Sequence, residues 1–107
     1  MFTEGKSVEA IITGEGVTRK LLSRGGSMMM SEMAFKKGAI GEVHSHAHEQ
    51  MCYIVAGRFE FNLDDQIQII KKGDSVYVPS NSPHSVKALE DVSIILDIFT
   101  PQREDFL

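Results

Sequence analysis

Cysteine occurs once in this chain, at Cys52, so no intrachain disulfide can form and the composition suits a reducing compartment. Long apolar runs are missing too. None approaches the roughly 20 residues that a helix needs to span a bilayer, and no basic, apolar, small-residue leader opens the sequence. These absences lead us to expect a cytoplasmic protein with no membrane partner. Basic clusters do not exceed pairs such as Arg19-Lys20 and Lys36-Lys37, and the formal net charge is -4, which argues against a nucleic-acid surface. No stretch sustains a 3.6-residue apolar period; only residues 102–107 have the make-up of a helical turn. A chain of 107 residues has room for one core and not for two, so residues 1–107 are expected to form a single domain.

What is present is a series of short alternating stretches broken by Gly, Pro and Asp. Strands are expected over residues 7–13, 17–23, 27–35, 51–56, 58–63, 66–71, 75–78, 85–89 and 92–100, with turns at Gly14-Glu15-Gly16, Gly25-Gly26, Asp64-Asp65 and Lys72-Gly73-Asp74. Such a series means an all-β sandwich or barrel. In the methionine-rich stretch, Met29, Ser31, Met33 and Phe35 share one face and form the better candidate for the interior. Met51, Tyr53 and Val55 face away from Gln50 and Cys52, and so apolar a face calls for cover from the second sheet or from another subunit. A homodimer is the expectation. Cys52 itself reads as a buried, inert thiol.

The chemistry gathers between Gly38 and Gly57. His44 and His46 are two apart, so on a strand both imidazoles point to one side, and Gln50 keeps the same parity. His84 follows a Pro-Ser-Asn-Ser-Pro turn. Three imidazoles and one amide oxygen form a candidate site for a divalent transition metal, with Ni, Zn, Mn and Fe all compatible. His48, the fourth histidine, falls at the expected turn and reads as a surface or satisfied-core residue rather than a ligand.

These residues resemble the two motifs of the cupin superfamily. Gly38, His44, His46, Gln50 and Gly57 fall on the first motif, with Gln50 where the family has an acid. Gly73, Pro79 and His84 fall on the second, with Asn81 and Ala88 as departures. Asn81 in place of glycine is a mild change, because asparagine tolerates positive φ. The resemblance implies a double-stranded β-helix, the jelly-roll or cupin barrel. An amide oxygen neutralises none of a divalent ion's charge, so the ion would be the stronger electrophile and would favour an anionic ligand.

The tail, Asp97-Ile98-Phe99-Thr100-Pro101-Gln102-Arg103, resembles the end of the small KdgF-type cupins of pectin and alginate degradation. That resemblance implies metal ligands at His44, His46, Gln50 and His84, and catalytic residues at Asp97, Phe99 and Arg103. It also implies conversion of 4,5-unsaturated monouronates, small acidic sugars, into linear keto acids. A metal-dependent dioxygenase and a non-catalytic sugar-binding module are the rival readings. The residues alone also allow a surface ion pair between Asp97 and Arg103 beside a buried Phe99.

Overall fold

The computed structural model describes residues 1–107 and contains ten strands, all antiparallel to their neighbours, in two sheets. Strands β1 (Ile11–Gly14), β2 (Val17–Gly25), β3 (Met28–Phe35), β10 (Ser93–Thr100), β5 (Glu49–Ala56) and β8 (Ser75–Val78) form one sheet in that spatial order. The other runs β4 (Ile40–His44), β9 (His84–Ala88), β6 (Arg58–Leu63) and β7 (Gln66–Lys71). Period-2 alternation explains why the sheets face each other. In β6 the buried Phe59 and Phe61 alternate with Arg58, Glu60 and Asn62, and in β3 Met29, Ser31 and Phe35 are buried while Met28 is exposed. Phe35 from one sheet meets Phe59 from the other edge to face, with centroids 5.2 Å apart. Ile54, Val78, Ile95 and Ile70 pack around them.

Turn chemistry sets the register. Asp64 and Asp65 both take positive φ, 52° and 69°, the pairing that a two-residue hairpin between right-twisted strands requires, and they join β6 to β7. Gly57, at φ 76°, lies so close to the buried Ser93 that an added Cβ would collide with it. That contact fixes where β5 hands the chain to the other sheet.

Three expectations are corrected. Residues 5–7 form a 3-10 turn and β1 starts only at Ile11, because the mixed stretch before it has no apolar alternation to bury. The strand carrying His44 ends there, so His46 lies in the following loop and not on the same strand. A register irregularity between Gly41 and His44 changes the parity of β4, which sets the even-numbered His44 opposite His84 at the exposed mouth of the barrel. Finally, the second sheet does not cover the outer face of β5. Met51 and Tyr53 remain 54% and 48% exposed, beside Tyr77 of β8, while Val55 is half-buried. The tail forms a 3-10 turn over Glu104–Phe106.

Candidate metal centre and ligand cavity

His44 closes β4 directly opposite His84, the first residue of β9, and their ring centroids are 4.3 Å apart. His46 reaches the same point from the loop. Its position is set by the second motif loop: the Asn81 N–H donates to the His46 carbonyl at 2.7 Å, and the Ser80 hydroxyl donates to the Ala47 carbonyl at 2.6 Å. Asn81 makes its contact at φ 67°, the conformation for which asparagine is the tolerated stand-in for glycine. The ligand-capable atoms of His44, His46 and His84 all lie within 4.8 Å of one another.

The protons on these rings follow from their partners. Nδ1 of His44, His46 and His84 each lies 2.9 Å from a main-chain carbonyl, of Glu42, His48 and Ser82 respectively. A carbonyl only accepts, so each Nδ1 carries the hydrogen and each Nε2 of the neutral ring presents a lone pair. His84 Nε2 is buried with no partner in the protein. Burial above all holds the His84 imidazole down to about 4 and also lowers that of His46, so both rings are neutral at pH 7.

Gln50 completes the set from the opposite sheet. Its Nε2 donates to Asp97 Oδ1 at 2.9 Å and lies 3.2 Å from Cys52 Sγ, which directs Oε1 towards His46 Nε2, 2.9 Å away. Two lone pairs therefore face each other. A cation between them removes the conflict, and donor atoms about 3 Å apart can both reach one ion at the usual distance of about 2.1 Å. The unpartnered lone pair of His84 fits the same ion. The residues present thus suit a divalent metal, with carbonyl-bound imidazoles of the kind that orient metal ligands.

Asp97 and Phe99 share the inward face of β10, with Phe99 opposite Gln50 and Asp97 opposite Cys52. Burial pushes the Asp97 carboxyl up to about 6, against the Cys52 thiol and the Gln50 amide, which favour the carboxylate. The Cys52 thiol is buried, and burial holds its pKa well above the ordinary value, which is the behaviour of an inert thiol. Arg103 is buried at the same end of the barrel, its guanidinium carbon 5.3 Å from the Phe99 ring centroid. Its ion-pair partner is Asp105, through Nε at 2.9 Å and Nη2 at 2.7 Å, and not Asp97. The two are only two residues apart, and the 3-10 turn brings them face to face. His48 is half-buried, and its carbonyl is what orients His46.

His44, Gln50, His84, Asp97, Phe99 and Arg103 line a cavity of about 920 Å³ between the sheets. Several of its lining residues belong to neither motif, Arg19 and Phe106 among them. Arg19 of β2 and Phe106 of the tail meet there, the guanidinium carbon 3.9 Å from the ring centroid. Parity contained the signal for Arg19, since it shares a face with the buried Val17. Phe106 had none, because its position depends on how the tail folds back.

Two facing antiparallel sheets with a histidine cluster between them at one end define a cupin-fold protein. The chain belongs to the cupin family: the Cupin domain model matches residues 31–99. It is 40% identical over 95 residues to the pectin degradation protein KdgF of Dickeya dadantii, a match covering 88% of this chain and 86% of the relative. Among solved structures, KdgF from a Halomonas species superposes with a TM-score of 0.96 at 30% identity, covering 100% of this chain and 98% of that one. A RmlC-like cupin from Shewanella frigidimarina gives a TM-score of 0.93 at 37% identity, covering 99% and 95%.

Proposed function

We propose that this cupin opens the ring of 4,5-unsaturated monouronates to give linear keto acids, with a divalent first-row metal held by His44, His46 and His84 through Nε2 and by Gln50 through Oε1. One observation carries the reading: Gln50 links the histidine cluster to the buried Asp97 through a single amide, 2.9 Å from each. The likeness to a pectin degradation protein supports the choice of substrate class.

The substrate is a cyclic enol ether bearing a carboxylate. Ring opening breaks the bond between the anomeric carbon and the ring oxygen; the anomeric hydroxyl gives up its proton and becomes a carbonyl, and the electrons released end at C4, which takes a proton. Atoms balance without an oxidant or added water, so the reaction is an isomerisation. Asp97 is the group suited to moving that proton, because its pKa of about 6 makes it a base near neutral pH without making it too weak to accept. Phe99 offers a flat apolar surface for the sugar, and Arg103, beside it, adds positive charge. When bound, the metal supplies Lewis-acid polarisation of a substrate oxygen.

The test is loss of the conjugated double bond with pectin-derived and alginate-derived monouronates. Consumption without oxygen uptake is expected. Binding without consumption would reduce the protein to a sugar-binding module, and oxygen uptake by the iron-loaded protein would make it a dioxygenase. The metal assignment has its own check: His84→Ala should lower metal content by elemental analysis, and full occupancy in that variant would remove His84 from the ligand set. The exposed Met51, Tyr53 and Tyr77 on one sheet face further support a homodimer, against which a monomer mass by light scattering would count.

A further inference from the structure

We infer that Arg19 takes the carboxylate of the acidic ligand in this cavity, its guanidinium carried on the face of Phe106. This rests on the ring-opening reading for the identity of the ligand, but its geometric argument is independent. β2 pairs Arg19 with Met33 of β3, and parity with the buried Val17 turns its side chain into the barrel. The residue is half-buried and lines the cavity that also contains His44, His84 and Asp97. A guanidinium turned into a cavity and partly withdrawn from water gains from a carboxylate partner. The Arg19 side chain has no hydrogen bond or ion pair within the protein, although those of Lys20, Arg24, Arg58 and Arg103 each have a partner.

The comparison with Arg103 separates the two cations. Both guanidiniums lie against Phe106, Arg19 at 3.9 Å and Arg103 at 4.4 Å from the centroid. Arg103 already gives its Nε and Nη2 to Asp105 in a two-pronged contact, which leaves only part of its fork for a ligand. Arg19 keeps its whole planar fork, the donor pattern that matches a carboxylate. Desolvation lowers the Arg19 pKa from its ordinary value; the Asp105 carboxylate opposes that shift through its charge and the Arg103 cation adds to it, so the net direction stays downward. A bound carboxylate opposes it further. Phe106 fixes the plane of the fork, and through its edge-to-face contact with Phe99, centroids 5.6 Å apart, it relates that plane to the sugar-facing ring.

A purely structural role, with Arg19 pinning the tail through Phe106, makes different predictions. Steady-state rates on the unsaturated monouronate and calorimetric binding of a saturated hexuronate and its neutral hexose counterpart are measured for the parent, Arg19→Gln and Arg19→Lys. We expect Arg19→Gln to raise KM and weaken hexuronate binding about ten- to a hundredfold, with a smaller effect on kcat and none on hexose binding. Arg19→Lys keeps the charge and most of the stem but not the fork, and is expected to recover only part of the loss. A parent that turns over substrate while Arg19→Gln leaves KM unchanged overturns the inference and leaves ring opening intact. Equal weakening of hexuronate and hexose overturns it as well. A parent that consumes no unsaturated uronate, yet binds hexuronate in an Arg19-dependent way, removes the ring-opening reading and supports this one.

Discussion

β5 turns Gln50, Cys52 and Ile54 inward, and the antiparallel β10 sets Phe99, Asp97 and Ile95 beside them in that order. Along the same two strands the interior changes from a polar, hydrogen-bonded end to an apolar, packed one. At the Ile54 and Ile95 end the core is built with Phe35, Phe59 and Ile70, and what matters is filling space at interior density. At the Gln50 and Asp97 end every polar atom needs a specific partner, and where the protein supplies none, as at His84 Nε2, a ligand has to. One backbone register serves both. Substitutions at the two ends should therefore fail in different ways.

The largest effect is expected at the polar end. Asp97→Asn keeps an oxygen for the Gln50 amide but loses the proposed base, so turnover should fall about a hundred- to ten-thousandfold while the urea midpoint hardly moves. If that variant unfolded as readily as one from the apolar end, Asp97 would be a structural residue and the contrast would collapse. At the other end, Phe59→Ala opens a cavity beneath Phe35 and should cost about 3–5 kcal/mol of stability in urea unfolding, with the folded fraction still active. Normal stability with lost turnover in Phe59→Ala would place that ring in the site instead.

The smallest effect separates the two ends by pH. The folded Asp97 carboxyl titrates at about 6, above its ordinary 3.8, so between those values the folded state binds the proton first. Acidification through that window therefore adds stability to the parent that Asp97→Asn cannot gain. The folded His84 imidazole, held to about 4 from 6.5, acts in the opposite sense, because the unfolded chain takes up the proton first and stability is lost as pH falls. In chelator-treated protein the parent should thus resist acidification from pH 6 to pH 4 better than Asp97→Asn, by on the order of 1–3 kcal/mol. Phe59→Ala should track the parent. Parallel stability curves for the parent and Asp97→Asn would show that burial does not raise the Asp97 pKa.

Much of this division was legible in the sequence. Alternation placed Phe59 and Phe61 inside, and motif spacing picked out the residues that meet at the polar end, because strand parity and glycine-marked turns are local properties. What was not legible depended on breaks in that local regularity. The irregularity between Gly41 and His44 cannot be inferred from parity, since it is the exception to it, and it is the reason that His44 and His46 approach from a strand and a loop. The pairing of Arg103 with Asp105 depends on a 3-10 turn within the last residues. Arg19 belongs to no motif. Only its inward parity set it apart, and its lack of a partner becomes visible only once every nearby carboxylate has been placed.

The two hydrogen bonds between the motif loops, Asn81 to His46 and Ser80 to Ala47, have a consequence for chelation. The latter joins residues 33 positions apart, and the segments it joins carry His46 on one side and His84 on the other. The chain entropy of bringing those imidazoles together is lost when the protein folds, not when an ion arrives. On the proposed ligand set, an incoming ion would meet a preorganised chelate, and its capture would be governed by shedding its own water rather than by a search of flexible loops. Loosening that clasp, for instance by Ser80→Ala, would move part of the ordering cost onto the ion and appear as slower uptake with the ligand set unchanged.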